Sequence, residues 1–306
     1  MNATAKPLII PPPLQKGDTI GLVAPAGPVR DREVFAFGCQ FLEEQGYRLK
    51  VPDDLFNQQD YLAGHDQERA HQFQEMWQDP EVKMILAVRG GYGCQRILPL
   101  LDLAELAATP KILAGFSDLT VLLNALSQQN GLVTYHAPML NTLARSDEAS
   151  RASFLGMLAG SGSSEVKPAG LEILREGEGC GHLVGGNLTT LTHLIGTPQE
   201  INWRGALLFL EDTGEAPYRI DRLLTHLERA GCLRELAGLI LGTFTDNKGA
   251  EEGWTPAVWK RAMELAGGEY PIWGNFPAGH GARNLSLPIG VTAKMDSASG
   301  ILRLSC

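Results

Sequence analysis

The 306-residue chain has little cysteine, and its cysteines are scattered without a C-x-x-C pair. An odd number of widely separated cysteines argues against both a disulfide framework and a structural zinc site. We therefore expect free thiols, a reducing compartment and no bound metal. We also expect that the protein uses no cofactor. The residues concerned are Cys39, Cys94, Cys180, Cys232 and Cys306.

Positive charge and long hydrophobic runs are also missing. The 26 Lys and Arg residues face 35 Asp and Glu residues, for a formal net charge of -9. The lack of clustered basic residues argues against a protein that binds nucleic acid through the phosphate backbone. The first 18 residues hold only a short apolar run before three prolines. This is too short for a signal peptide or a membrane span, so we expect a cytoplasmic protein that binds neither nucleic acid nor membrane.

The first half of the chain alternates apolar runs with helical patterns. Such alternation predicts an α/β fold with a parallel sheet covered on both faces, and functional loops at the carboxyl ends of the strands. The predicted strands are 19–24, 47–51, 84–88 and 111–114, and the predicted helices are 32–45, 66–78, a helix beginning at 95, and 119–126.

A glycine- and serine-rich stretch at 160–170, closed by a proline, is typical of a linker. It predicts an N-terminal domain of residues 1–165 and a C-terminal domain of residues 166–306. The second domain has a smaller, mixed pattern and no internal repeat. Its predicted helices are 188–195 and 220–230, after a glycine-rich entry at 181–187, and its predicted strands are 206–210, 239–241, 272–273 and 302–304.

The sequence GFSDLT places Ser117 at the corner between a buried strand and a helix. A serine on such a turn projects its oxygen outward, and the following backbone N–H groups can stabilise an oxyanion. Ser117 is thus a candidate nucleophile. Either Ser117 or Asp118 could instead be the N-cap of the helix, and only half of the G-x-S-x-G elbow is present.

A nucleophilic serine needs a base and a carboxylate to orient it. His280 lies in the glycine-flanked loop PAGHGARN, which suits a side chain presented to a substrate, although an exposed turn histidine fits equally. Glu211 directly follows an apolar strand, where a charge is costly unless it is paired. Asp212 and Glu215 compete with Glu211 on the same turn.

The stretch AVRGGYG at 87–93 places two glycines after another buried strand. Glycine lets backbone N–H groups approach a ligand closely, and Arg89 could face a carboxylate or a phosphate. The spacing matches neither the P-loop nor the dinucleotide-binding motif. A non-catalytic anion-binding α/β module is therefore an alternative to an enzyme.

Five blocks in this order resemble the signature of the LD-carboxypeptidases, serine peptidase family S66. They are AVRGGYG, GFSDLT, GGNL at 185–188, LFLEDTGEAPYRIDR and GHGARNLSLPIG, and the resemblance extends from Val23 to Pro288. It implies a flavodoxin-like N-terminal domain, a smaller mixed β-rich C-terminal domain, a homodimer, and an active site in the interdomain cleft.

The resemblance also implies roles for individual residues. Ser117 would be the nucleophile, His280 the general base and then acid, and Glu211 the residue that holds the histidine. The oxyanion hole would come from backbone N–H groups of Asp118 and of a glycine, for which Gly91 is preferred over its neighbour. Candidate substrate-binding residues are Arg89, Gly90, Tyr92 and Asn187.

The implied reaction is removal of the terminal D-Ala from cytosolic murein tetrapeptides, or from related muropeptides, in peptidoglycan recycling. Some members of the family instead cleave peptide-nucleotide antibiotics of the microcin C type and provide immunity. Both groups use the same triad, so the sequence leaves this alternative open.

Overall fold

The computed structural model describes residues 7–162, 164–245 and 255–305. The chain divides into two compact units, Met1–Gly162 and Ser163–Cys306. The division falls inside the glycine- and serine-rich stretch at 160–170 that the sequence marks as a linker.

The first unit is built around a parallel sheet. Its strands are β1 (Thr19–Val23), β2 (Arg48–Lys50), β3 (Val82–Ala87), β4 (Ile112–Gly115) and β5 (Thr134–His136). Its helices are α1 (Arg32–Glu44), α2 (Asp66–Gln78), α3 (Cys94–Ile97), α4 (Leu103–Ala108), α5 (Thr120–Asn130), α6 (Leu140–Leu143) and α7 (Glu148–Leu158), with short 3₁₀ turns at Leu98–Leu100 and Ser117–Leu119.

These strands lie in the order β2-β1-β3-β4-β5, and each neighbouring pair is parallel. This is the strand order of flavodoxin-like folds, which confirms the predicted class. Apart from Lys83, every residue of β3 and β4 is buried, as expected for parallel strands covered on both faces. Since β3 and β4 are neighbours, the loops at their carboxyl ends, 88–93 and 116–119, lie side by side.

The second unit is a mixed sheet with few helices. Its strands are β6 (Glu165–Val166), β7 (Glu172–Arg175), β8 (Glu178–Asn187), β9 (Leu207–Thr213), β10 (Gly238–Thr245), β11 (Ile272–Gly274), β12 (Leu287–Ile289), β13 (Thr292–Asp296) and β14 (Ile301–Ser305). Its helices are α8 (Leu188–Thr192), α9 (Pro217–Arg229) and α10 (Thr255–Leu265).

Eight of these nine strands form one sheet, in the order β6-β14-β13-β8-β9-β10-β11-β7, and β12 is not part of it. Its centre, β8 to β11, is parallel, and β7, β13, β14 and β6 join it in antiparallel pairs. The predicted mixed, β-rich character of the second domain is therefore confirmed.

Several element boundaries differ from the sequence-based expectation. The glycine-rich entry at 181–187 is part of the ten-residue strand β8. Helix α9 begins at Pro217 rather than near residue 220, because proline fits the first helical turn. The predicted strand at 239–241 extends over all of β10, which is buried throughout.

Candidate active site

Ser117 occupies a sharp turn between β4 and α5. Its φ angle is +63°, a left-handed conformation that is uncommon outside glycine. From Lys111 to Ser127, a stretch described in full, Ser117 is the single residue that is not buried. The fold thus holds a partly exposed serine in a strained backbone conformation, which is typical of a nucleophile elbow.

The helix-cap alternative for this serine is wrong. The N-cap position of α5 is occupied by Leu119, and no side chain makes a cap hydrogen bond there. The 3₁₀ turn that contains Ser117 also has no side-chain cap, with Phe116 at its N-cap position. Neither Ser117 nor Asp118 therefore occupies the N-cap position.

The glycine loop after β3 lies directly against Ser117. A Cβ built on Gly90 would be 2.8 Å from Oγ of Ser117, so any larger residue would have to displace the serine side chain or the loop. Gly91 has a φ of +125°, which again requires glycine. The N–H of Gly27 donates to the carbonyl of Gly90 at 3.2 Å. Backbone groups of this loop are thus close enough to Ser117 for an oxyanion hole, and the choice of Gly91 as donor stays a prediction.

Asp118 follows the serine and is buried, with 4% of its surface exposed. Its Oδ2 accepts a hydrogen bond of 2.7 Å from the backbone N–H of Cys94. This side-chain contact does not test the predicted role of the Asp118 backbone N–H in the oxyanion hole. That role stays a prediction.

Arg89 is half-buried beside the same loop. Its Nη1 donates to the carbonyl of Pro28 at 3.1 Å, and a Cβ built on Gly91 would lie 3.5 Å from its Nη2. Burial, and then the charge of Arg30, lower the pKa of Arg89. A cation is therefore available next to the candidate oxyanion glycine, where a substrate carboxylate would be attracted.

Tyr92 lies on the exposed side of the glycine loop. The residue is 46% exposed, and its ring centroid is 5.9 Å from that of Tyr61, which is also exposed. This position is compatible with the predicted contact between Tyr92 and a substrate.

In the second unit, His280 and Glu211 form a close pair. Nδ1 of His280 lies 2.6 Å from Oε2 of Glu211. Glu211 is on β9 and fully buried, whereas 19% of the His280 side chain is exposed. Because an ionised carboxylate only accepts, Nδ1 carries the proton and Nε2 is left as the basic nitrogen.

The loop that carries His280 is shaped around this pair. Gly279 has a φ of +116°, and a Cβ there would lie 2.8 Å from Oε2 of Glu211. The N–H of Gly279 donates to Oδ1 of Asn284 at 3.0 Å, and the N–H of Gly281 donates to Oγ1 of Thr243 at 3.1 Å. These bonds fix the backbone on both sides of the imidazole.

The two charges near His280 change its basicity. Burial lowers the pKa of His280, but the charge and hydrogen bond of Glu211, with the charge of Asp212, outweigh it and raise the pKa above 6.5. A general base with a raised pKa is a stronger proton acceptor, which suits the role predicted for His280.

The competing carboxylates have other partners. Oδ2 of Asp212 accepts hydrogen bonds of 2.8 Å from the N–H and the hydroxyl of Thr189. Burial, and then the charge of Glu211, raise the pKa of Asp212 to about 6. Glu215 forms a 3.3 Å ion pair with Arg219, which lies on α9. Glu211 is thus the candidate carboxylate that contacts the histidine.

Asn187 occupies the N-cap of α8 rather than an open surface. Its Oδ1 accepts from the N–H of Thr190 at 3.0 Å, its Nδ2 donates to Oδ1 of Asp212 at 3.2 Å, and only 5% of the residue is exposed. These contacts favour loop stabilisation, and its predicted contact with substrate has no support from them.

One buried residue that contacts the end of the glycine loop was missed by sequence reasoning. Arg69, on α2, is 2% exposed and donates from Nη1 to the carbonyl of Gly93 at 3.1 Å. The available signal was its position on the apolar face of the helix, in step with Phe73 and Met76.

The described ranges contain neither a metal-binding cluster nor a membrane-spanning helix. Across residues 7–162, 164–245 and 255–305, no group of three or more His, Cys, Asp or Glu side chains could hold a metal ion. In the same part of the chain, no helix combines the length and hydropathy that crossing a membrane requires.

Comparison with known proteins identifies the family. Residues 20–137 match the LD-carboxypeptidase N-terminal domain, and residues 180–295 match the LD-carboxypeptidase C-terminal domain, both of peptidase family S66. A probable murein peptide carboxypeptidase of Bacillus subtilis is 38% identical, over 94% of this chain and 92% of its own length. The murein tetrapeptide carboxypeptidase of Pseudomonas aeruginosa is 33% identical, over 90% of this chain and 92% of its own.

A solved structure extends the similarity to the fold. The microcin C7 self-immunity protein MccF, known from Escherichia coli, superposes with a TM-score of 0.88 at 26% identity, covering 98% of this chain and 99% of its own. The matched domains, the relatives and the fold agree with the resemblance that the five sequence blocks predict, and the chain belongs to the LD-carboxypeptidase family, peptidase family S66.

Proposed function

We propose that this protein is a serine LD-carboxypeptidase that removes the terminal D-Ala from murein tetrapeptides in the cytosol, in peptidoglycan recycling. The observation that carries the mechanism is Ser117, which is partly exposed, has a left-handed backbone conformation and packs against Gly90. Support for the substrate comes from relatives named for murein peptides and murein tetrapeptides.

In this mechanism Oγ of Ser117 attacks the carbonyl carbon between the L-centre of the diamino acid and D-Ala. Nε2 of His280 takes the serine proton, while Glu211 keeps Nδ1 protonated and stabilises the imidazolium. The oxyanion of the tetrahedral intermediate accepts hydrogen bonds from the backbone N–H groups of Gly91 and Asp118.

The proton held by His280 then passes to the amine of the departing D-Ala, which leaves an acyl-enzyme on Ser117. Water, deprotonated by His280, attacks this ester and releases the tripeptide. Arg89 holds the free carboxylate of D-Ala, so the enzyme acts on chain ends. We expect the active protein to be a homodimer that needs no metal and no cofactor.

The experiment compares wild type with Ser117→Ala on L-Ala-D-Glu-meso-diaminopimelate-D-Ala, measuring released D-alanine with and without EDTA. Release by wild type alone, unchanged by EDTA, supports both activity and mechanism. Turnover by a folded Ser117→Ala protein at the wild-type rate contradicts the serine mechanism. The loss should reach several orders of magnitude, about 10⁴-fold or more, because only binding and the oxyanion hole remain.

The similarity to MccF favours a second candidate within the same chemistry, an immunity peptidase that cleaves a peptide-nucleotide antibiotic. An aminoacyl sulfamoyl nucleoside incubated in parallel distinguishes the two. Hydrolysis of that compound with no release of D-alanine would favour the immunity role. If the folded protein hydrolyses neither substrate but binds one of them, a non-catalytic anion-binding module is favoured instead.

A further inference from the structure

The side chain of Asp118 connects the serine turn to the glycine loop. Asp118 is adjacent to Ser117 in sequence, and its Oδ2 accepts a 2.7 Å hydrogen bond from the N–H of Cys94. Cys94 directly follows Gly93 and begins α3. One buried carboxylate therefore bonds to the end of the loop whose other end, at Gly90, packs on the serine.

The thiol of Cys94 adds to this contact. Burial, and then the charge and hydrogen bond of Asp118, raise its pKa well above the ordinary value of 9.0. The thiol is thus protonated at neutral pH and donates toward the carboxylate. Asp118 and Cys94 are both buried, so this contact is protected from water.

A second anchor for the same loop comes from Arg69. Its guanidinium donates to the carbonyls of Gly93, Pro25 and Gly64, and it pairs with Asp66. A buried guanidinium is stable only when such acceptors surround it.

The loop is fixed at its beginning as well. Gly27 donates from its N–H to the carbonyl of Gly90. The backbone from Gly90 to Cys94 is therefore held at both ends, while glycines at 91 and 93 supply the positive φ angles between them.

We propose that the carboxylate of Asp118 is a positioning residue, which sets the distance between the glycine loop and Oγ of Ser117 through its hydrogen bond to Cys94. This inference rests on the proposed serine mechanism and assigns the side chain a role separate from that of the Asp118 backbone N–H. In this role the side chain acts through the glycine loop and not on the substrate or the oxyanion itself.

The expected effect is on kcat rather than on KM. An oxyanion donor acts on the transition state, so a displaced donor slows the chemical step without weakening ground-state binding. A displacement of about 1 Å in such a group lowers the rate by about 100-fold.

Two variants separate the hydrogen bond from the bulk of the side chain. Asp118→Leu removes the acceptor and keeps a similar volume, whereas Asp118→Asn keeps one acceptor oxygen. We expect kcat for D-alanine release to fall by about 100-fold in Asp118→Leu with KM changed less than about threefold, and Asp118→Asn to recover most of the loss.

The matched control is Asp102→Leu. Asp102 also accepts backbone hydrogen bonds, at 3.0 Å from Ala104 and Glu105, but at the start of α4. Its loss should lower stability through the helix cap while kcat stays at the wild-type value. Equal kcat in Asp118→Leu and Asp102→Leu would overturn the inference, as would equal losses of kcat in Asp118→Leu and Asp118→Asn.

A second readout does not depend on the murein substrate. The rate at which a fluorophosphonate labels Ser117 reports the nucleophile and its oxyanion donors, and Asp118→Leu should slow it by about the same factor as kcat. If wild type is labelled but releases no D-alanine, the proposed substrate fails and the labelling ratio still decides the role of Asp118.

Amide hydrogen exchange covers the case of a variant that folds poorly. The Cys94 N–H should exchange faster in Asp118→Leu than in Asp118→Asn, with amides of β3 unchanged. Loss of protection across β3 in both variants would instead assign Asp118 to general stability and overturn the inference.

Discussion

A methyl group placed on Gly90 would lie 2.8 Å from both Cβ and Oγ of Ser117. This distance is well inside van der Waals contact, so the glycine loop is fitted to the serine without spare volume. Gly90 follows the carboxyl end of β3 and Ser117 follows that of β4, and these strands are neighbours in the parallel sheet. Crevices at these strand ends are where open α/β sheets bind their ligands.

Gly90→Ala should therefore abolish most of the activity while the protein still folds. The new methyl group must displace either the Ser117 side chain or the loop, and each movement misaligns nucleophile and oxyanion donor. We expect D-alanine release to fall by about 100-fold or more, measured as kcat at saturating tetrapeptide.

The control for this variant is Gly156→Ala on α7. A Cβ there would make only ordinary contacts, at 3.5 Å from Gly162, and alanine favours a helix by about 0.5–1 kcal/mol. Activity should be unchanged and stability slightly higher. A Gly90→Ala protein as active as Gly156→Ala would contradict the proposed role of this loop.

Glu211→Gln should change both the rate and its pH dependence. A neutral amide can no longer stabilise the imidazolium, so kcat should fall by about 10²- to 10⁴-fold, less than for Ser117→Ala. The raised pKa of His280 means that kcat/KM in wild type increases with pH, with a midpoint above 6.5. Burial lowers the pKa of His280, and without the charge of Glu211 less opposes this effect. The midpoint of the kcat/KM profile should therefore move to lower pH.

The measurement is kcat/KM from pH 5 to 9 for both proteins. An unchanged midpoint in Glu211→Gln would show that the titrating group is not His280. A midpoint that moves to higher pH would contradict the assigned direction of the Glu211 effect.

Much of the first unit could be predicted because its strands are continuous apolar runs. In β3 and β4 both faces are covered, so nearly every residue is apolar, and turn residues mark each end. The position of Ser117 at a strand-to-helix corner followed from this pattern. Its left-handed φ did not, since a backbone angle imposed by the surrounding fold leaves no local mark on the sequence.

The second unit was harder to predict because β8 is rich in glycine. Glycine usually weakens strands, but a Cβ on Gly179 or Gly181 would lie 2.0 Å from a carbonyl oxygen, at Ala237 and Gly205 respectively. Close backbone approach, a property of the folded state, requires these glycines. Arg69 was missed for a similar reason, because its acceptors are carbonyls on loops distant in sequence.

Arg89→Ala should weaken substrate binding if its cation holds the D-Ala carboxylate. Loss of a charged hydrogen bond corresponds to an increase in KM of about 10- to 100-fold, with a smaller effect on kcat. Arg89→Lys keeps the charge without the planar fork and should give an intermediate KM. The decisive substrate is a tetrapeptide ending in D-alaninamide, for which wild type and Arg89→Ala should have equal KM. An unchanged KM for the free acid would remove this role.

Asp212→Asn should change how stability depends on pH. In wild type the pKa of Asp212 is raised to about 6 by burial and by Glu211, whereas the unfolded chain ionises near 3.8. Between these values the folded protein holds a proton that the unfolded chain has lost. The free energy of unfolding should therefore fall as pH rises from about 4 to 6, by about 3 kcal/mol for this group.

The asparagine variant lacks this titration but loses a hydrogen bond at every pH. Oδ2 of Asp212 accepts hydrogen bonds from the N–H and the hydroxyl of Thr189. An amide nitrogen in its place is a donor and cannot accept from the Thr189 N–H. Asp212→Asn should thus be clearly less stable than wild type at pH 4, and the difference should shrink or reverse by pH 7. Denaturant unfolding at several pH values measures it. A difference that stays constant from pH 4 to 7 would show that the Asp212 carboxyl does not titrate near 6.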